Sequence, residues 1–216
     1  DLLKETELQN AGYEIVHFDS PDKRGIDCAL FYRSRYYQFS DARPHPVILK
    51  GEEYIKTRDV LEVNGLLLGE PVSFLVGHWP SRVGGEQVSL KRRLYAAEVM
   101  RSVTDSLLAA NANNKVILMG DFNDDPTSPS VVRGLRSKSS AEHLAATDLF
   151  NPMVALYSSG HGTLAYRDVW SLFDNLIVTS NLVGGATNQL HLLQDRATGD
   201  YGHIFNAPFL TQKTGH

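Results

Sequence analysis

Residues 116–126 read VILMGDFNDDP. The opening four are apolar, and the run then breaks into Gly120, Asp121, Phe122, Asn123, Asp124, Asp125 and Pro126. A short apolar run closed this abruptly reads as a buried strand with a loaded end. One Asp or Asn is enough for a turn. Three carboxylates and a carboxamide ask for a cation or a catalytic explanation. Alternate residues of a strand share a face, so its end lifts Asp121 and Asn123 to one side. A carboxylate beside an amide suits a hard cation such as Mg²⁺, with Mn²⁺ as its substitute, or the positioning of water and phosphate oxygens. The plainer reading is an acidic β-turn closed by Pro126, and residue types alone leave both open.

Two further stretches could meet that strand end. In LVGHWPSRVGGE (75–86) a strand delivers His78, followed by Ser81, Arg82 and two glycines. Histidine can act as acid or base or touch phosphate, and arginine can grip phosphate bidentately. Alone, the stretch reads more readily as a surface histidine beside a hairpin. In WSLFDNLIVTS (170–180) Asp174 is a lone carboxylate in an apolar run. An unpaired buried charge is expensive, so Asp174 is expected to orient a histidine, or else to lie on an edge facing water.

Composition sets the outer bounds. The chain has 216 residues, 42% hydrophobic and 21% charged, which fits one large globular domain. No apolar run reaches the roughly 18–20 residues of a membrane span. No signal peptide is read at the start, and the compartment stays open between cytoplasm and periplasm or exterior. Cys28 is the only cysteine, which rules out an intrachain disulfide and a Cys-based zinc cluster and suits a core thiol. The net charge of −4 argues against extended nucleic-acid binding but leaves phosphoester chemistry open, since that needs only local positive charge.

The remaining pattern predicts a helix over 2–12, strands at 13–18, 26–33 and 36–41, and two strands around a Gly-Glu-Pro turn at 69–71. A long helix follows from residue 86 to the Asn-rich stop at 111–114, carrying Lys91, Arg92 and Arg93 on a solvated face or as a polyanion guide. A short helix is expected near Ser130, capped by Ser128 or Ser130. A loop-rich segment over 137–169, a strand at 170–180 and a short strand at 190–195 complete the reading. Hairpins around one long helix predict a mixed α and β domain.

In this order, GDFND after VILM, HWPS after an apolar strand, and FDNLIVTS after a tryptophan resemble the endonuclease/exonuclease/phosphatase family, whose fold is DNase I-like. RGIDCALFYR (24–33) and the TRD of Thr57–Asp59 are similar to its Bacteroides-type bacterial members. The resemblance covers about residues 11–180. It implies an α/β (α+β) fold, a four-layer α/β/β/α sandwich of two packed, mostly antiparallel sheets with the site at one end. It also implies metal-assisted hydrolysis of a phosphoester in a nucleic acid or a small phosphorylated molecule. On this reading Asp121 and Asn123 hold Mg²⁺ and position water, His78 meets phosphate or moves a proton, and Asp174 orients a further histidine. Arg24 and Arg82 are the expected phosphate contacts.

Three family features are not found: an early asparagine, the glutamate that leads the metal ligands, and a closing Ser-Asp-His. The expectation is therefore one domain over 1–216 lacking its N-terminal strands and C-terminal strand, inactive as it stands. The competing reading is a non-catalytic module binding a phosphorylated ligand or a protein on the same scaffold. Oligomeric state is not legible.

Overall fold

The computed structural model describes residues 4, 8, 10–185 and 188–205. The helix expected over 2–12 falls largely outside the described residues, as does the tail beyond 205. Two strands, β1 (Tyr13–His17) and β2 (Ala29–Arg33), form an antiparallel ribbon. The main sheet has seven strands in the order β3-β4-β5-β6-β11-β8-β7. They are β3 (Tyr37–His45), β4 (Val60–Leu67), β5 (Glu70–Val76), β6 (Lys115–Asp121), β7 (Ser137–Lys138), β8 (Leu149–Phe150) and β11 (Asp174–Thr179). Helix α1 (Glu86–Ala110) links β5 to β6, and α2 (Met153–Ser158) precedes a small hairpin of β9 (Leu164–Tyr166) and β10 (Val169–Ser171).

β6 carries an unbroken apolar run because both of its faces are covered, as buried central strands require. Val116 and Leu118 face the helix side, in one core with Ala97, Met100 and Val103 of α1. Ile117 and Met119 face the ribbon side, against Val16, Cys28, Leu30 and Tyr37. The same alternation runs through β5, with Leu75 toward the helix and Val72, Phe74 and Val76 toward the ribbon. Ribbon, sheet and helix are thus stacked layers of a mixed α/β fold.

Several local expectations change. The β4–β5 turn is Leu68–Gly69, one residue earlier than expected, with φ of 52° and 89°. Positive φ at both central residues matches the twist of the flanking strands. The five residues Ser130–Gly134 form a single π-helical turn without a side-chain cap, because the Ser130 hydroxyl is turned to Asp124 instead. Segment 137–169 holds β7, β8, α2 and β9. The strand expected over 170–180 is two, β10 and β11, parted at Leu172 and Phe173. Residues 190–195 are irregular. Their backbone bonds go elsewhere, with Leu192 N–H donating to Leu182 O at 2.8 Å.

Candidate active site

The main sheet's topology brings the three motifs together. β5 and β6 are parallel, joined through α1, so both end on the same side of the sheet. β11 is antiparallel to β6 and starts there. Val76 is paired with Met119, and Asp174 with Asp121. Ligands of open α/β sheets gather at such carboxyl ends. Hydrogen bonds continue the pairing past β5: Gly77 N–H donates to Met119 O at 3.0 Å and Trp79 N–H to Asp121 O at 2.9 Å. The strands can close this tightly because Gly77 and Gly120 lack side chains. A Cβ on Gly120 would lie 1.9 Å from Gly77 O.

His78 and Asp121 stand side by side, Nε2 to Oδ2 at 3.7 Å, both partly open to solvent. That separation exceeds a hydrogen bond and leaves both groups available. Asn123 has a φ of 50°, a left-handed conformation that asparagine tolerates better than most residues. The turn is held by its N–H donating to Asp121 Oδ1 at 2.8 Å and its Nδ2 donating to Trp79 O at 3.0 Å. The amide is thereby oriented, and its Oδ1 has no hydrogen bond among the described residues. Phe122 turns the other way, buried and stacked on Trp79 with ring centroids 4.1 Å apart at 6°. Trp79 belongs to this core.

The surplus of acid in GDFNDD divides between two jobs. Asp121 faces the site, whereas Asp124 and Asp125 are buried structural anions. Asp124 Oδ2 lies 2.6 Å from Arg93 Nε and accepts the Ser130 hydroxyl at 2.5 Å. Asp125 Oδ1 accepts Leu172 N–H at 2.8 Å. Arg82 spans both: its Nη2 is 3.1 Å from Asp124 Oδ1 and from Asp125 Oδ2. Its Nε donates to Asn123 O at 2.9 Å, its Nη1 to Glu86 at 3.2 Å, and its Cζ lies 4.5 Å from the centroid of the Phe173 ring. Expected at phosphate, Arg82 is instead committed to bracing the GDFN loop. The Lys91-Arg92-Arg93 run is likewise not a solvated basic face: Arg93 is fully buried, and Arg92 is paired with Glu52 at 2.7 Å.

Arg24 lies in the loop between β1 and β2, joined to buried Asp22 by Nε–Oδ1 and Nη2–Oδ2 hydrogen bonds of 3.1 and 2.9 Å. The same carboxylate accepts Arg58 Nη1 at 3.1 Å, and Arg58 Nη2 donates to Trp79 O at 2.7 Å. Arg24, Asp22 and Arg58 are therefore wired to the carbonyl that Asn123 also uses. Hydrogen bonding by Arg24, with further support from Arg58, holds the Asp22 carboxyl well below the usual range. Sequence reading noted the TRD only as a family likeness and missed Arg58 and Asp22. Their one signal was two arginines and an aspartate in short motifs 30 and more residues apart. The ribbon reaches the site as well, since burial pushes the Cys28 thiol up to about 11, partly opposed by the nearby His78 backbone. Burial, and then the charge of Arg58, lower the pKa of His78, so its imidazole is neutral at pH 7.

Asp174 is exposed at the head of β11, directly across the ladder from Asp121. Its carboxylate has no ion pair or hydrogen bond among the described residues, and the histidine it was expected to orient is not among them. Exposure, not a buried partner, resolves the cost of a charge in that apolar run. Trp170 and Tyr166 lie exposed on the β9–β10 hairpin just before it. For a metal, the donor set at the strand ends fits a hard cation: the partly exposed Asp121 carboxylate, the oriented Asn123 Oδ1 and the facing Asp174 offer oxygen only. A second group, His17, Asp19 and Asp27 on the ribbon, has ligand atoms within 4.8 Å of one another. Asp27 there is already occupied, accepting Ser20 N–H at 2.8 Å and lying 3.3 Å from His17.

A family model described as "Endonuclease/Exonuclease/phosphatase family" matches residues 1–216. The chain belongs to the endonuclease/exonuclease/phosphatase family. Among solved structures, the human Nocturnin catalytic domain with bound sulfate is similar at 16% identity and a TM-score of 0.57, over 81% of this chain and 63% of that one. Truncated Caenorhabditis elegans TDP2 is similar at 15% identity and TM-score 0.55, over 82% and 66%. A Bacteroides thetaiotaomicron mannosyl-6-phosphatase is similar at 15% identity and TM-score 0.54, over 82% and 67%. The chain thus spans about two thirds of the length of these structures, 63–67%. At such identities the likeness is one of fold, and it is DNase I-like. A search of curated proteins finds no match. No described helix is long and apolar enough to cross a membrane.

Proposed function

We propose that this family member carries the strand-end groups of a metal-dependent phosphoesterase site, cleaving phosphodiester or phosphomonoester bonds by attack of water. The observation that carries the reading is the meeting of His78, Asp121, Asn123 and Asp174 at one end of the sheet, with Asp121 and His78 3.7 Å apart and unpaired to each other. Asp121 and Asn123 would hold Mg²⁺, which would supply charge for the phosphoryl oxygens and lower the pKa of a bound water. Asp121 takes up the proton of the attacking water. Asn123, its amide fixed by Trp79 O, orients that water or a phosphate oxygen. His78, neutral at pH 7, donates a hydrogen bond to the phosphoryl group. Asp174 keeps the role of orienting an imidazole, and Arg24, which lies in the Asp22–Arg58 chain, that of a phosphate contact. Arg82 acts at one remove, as a positioning residue for Asn123. Support from relatives is coarser, resting on family membership and on structures described as phosphatases.

The test is hydrolysis of bis-p-nitrophenyl phosphate, p-nitrophenyl phosphate and plasmid DNA by the whole gene product, with Mg²⁺ or EDTA, beside Asp121→Ala. The expected result is loss of activity in EDTA and a fall of about 10²–10³-fold in kcat for the variant, the scale of removing one preorganised transition-state group. Asp121 is partly exposed, so the variant keeps its fold. A folded protein that turns over none of these but binds phosphate would instead be a binding module.

The state of His78 gives a second expectation. Because burial and Arg58 lower its pKa, the neutral form persists below the ordinary histidine value of about 6.5. If neutral His78 is the working form, kcat/KM stays level as pH falls from 8 to about 6.5 and declines only below it. Activity that rises as the solution is acidified through that range would assign the work to the imidazolium.

A further inference from the structure

Beside the proposed catalytic end lies a cavity of about 340 Å³ between the Asp22–Arg24 loop, residues 54–58 and Pro80–Ser81. Its lining carries five cations, Lys23, Arg24, Lys56, Arg58 and Arg92, against the single carboxylate of Asp22. In a chain of net charge −4 this is a pronounced local excess of positive charge. Asp22 answers Arg24 and Arg58, and Glu52 answers Arg92. Lys23 and Lys56 have no ion pair among the described residues.

Two buried polar atoms on the same wall are also without partners. Thr57, 4% exposed, has a hydroxyl with no hydrogen bond among the described residues, and Arg58, also 4% exposed, has its Nε unsatisfied. Leaving such groups unpaired costs about 1–3 kcal/mol each, so folding accepts a cost to hold this wall in place. The cavity also shares a wall with the catalytic end: Arg58 Nη2 and Asn123 Nδ2 donate to the same carbonyl, that of Trp79. Tyr54, three-quarters exposed, stands at the rim with Val83.

We infer that this cavity is a second anion subsite, holding a phosphate of the substrate other than the one being cleaved, with the exposed Lys23 and Lys56 as its contacts and Thr57 and Arg58 in the wall behind them. The inference rests on the phosphoesterase reading and narrows it: the substrate carries at least two phosphates, one next to the other's leaving or retained part. Tyr54 offers a flat surface for the sugar or base that joins them. Neutralised Asp22 pairs hold Arg24 and Arg58 in place, so little order is lost on binding. A bisphosphorylated sugar and a 5′-phosphorylated nucleic-acid end present the same chemistry.

The test compares substrate pairs differing only in that second phosphate: glucose 1,6-bisphosphate against glucose 6-phosphate, and 5′-phosphorylated against 5′-hydroxyl dithymidylate. The protein, Lys23→Ala and Lys56→Ala are assayed with Mg²⁺. Expected is a preference in kcat/KM for the doubly phosphorylated member of one pair, reduced about tenfold in both variants. The pair that carries the preference names the source. No preference in either pair, or a preference that both variants leave unmoved, overturns the subsite. Inorganic phosphate titrated into Asp121→Ala protein in EDTA separates the two readings. Saturable amide shifts at Thr57 and Arg58 uphold the subsite even if no phosphoester is hydrolysed, and their absence overturns it even if one is.

Discussion

Gly120→Ala destabilises the fold by at least about 4 kcal/mol, which for a chain of this size lowers Tm by at least about 8 °C. The cause is contact between backbones. The added Cβ would lie 1.9 Å from Gly77 O and 3.0 Å from Gly77 C, and no rotamer can relieve it. A φ of +132° is also a conformation essentially reserved for glycine. Relief requires parting the ends of β5 and β6, which breaks the 3.0 Å bond from Gly77 N–H to Met119 O and draws His78 away from Asp121. Misplacing catalytic groups by about 1 Å costs about 10²-fold in rate, so on the proposed function activity falls with stability. Gly77→Ala is the control. Its Cβ would meet Trp79 Nε1 at 3.1 Å and the Met100 sulfur at 3.2 Å, and the methionine can yield. Denaturant unfolding of both variants, with their rates, checks the ranking: equal losses would mean that the close approach does not govern the site.

Asp124→Ala costs about 3–5 kcal/mol, the scale of breaking a buried ion pair on one side. Arg93 and Asp124 are both essentially inaccessible, at 0% and 1% side-chain exposure. Removing the carboxylate strands the Arg93 guanidinium, leaves the Ser130 hydroxyl without its acceptor and takes one of Arg82's two aspartates. The same charge burial need not be a net gain to the folded state. Replacing both partners by apolar residues of similar size, Arg93→Met with Asp124→Leu, therefore recovers much of the loss. A double-mutant cycle in urea measures this. If Asp124→Ala alone costs under 1 kcal/mol, the pair is not the clamp described.

These two expectations mark the limit of what the sequence made legible. The strand ends were readable because the information is local: an apolar run, then a glycine and polar residues at alternating positions. That sufficed to place His78, Asp121 and Asn123 at the strand ends, and for the long helix α1. Destinations of charged side chains were not readable, because residue type does not give direction. Asp121 and Asp124 look alike in GDFNDD, yet one faces the site and the other meets an arginine 31 residues earlier in the chain. Arg82 follows His78 as a phosphate contact would, and only the fold reveals its occupants. Asp174 was expected to be costly because its neighbours are apolar, but it sits at the exposed start of β11. The break between β10 and β11 escaped notice because Leu172 and Phe173 continue the apolar run. Leu172 is buried all the same, while Phe173 O accepts Phe122 N–H at 2.8 Å and ties the two motifs together.

The two tryptophans of the chain differ in surroundings as sharply as two such residues can. Trp79 is 1% exposed, stacked on Phe122 with its indole N–H 3.2 Å from the Met100 sulfur, and its carbonyl accepts Asn123 Nδ2 at 3.0 Å. Trp170 is 55% exposed on the β9–β10 hairpin. Intrinsic fluorescence is therefore a sum of a short-wavelength component sealed from solvent and a longer-wavelength one open to collisional quenchers. With Trp170→Phe the remaining emission comes from Trp79 alone, so the protein carries an optical probe of the core that adjoins Asn123 without any attached dye.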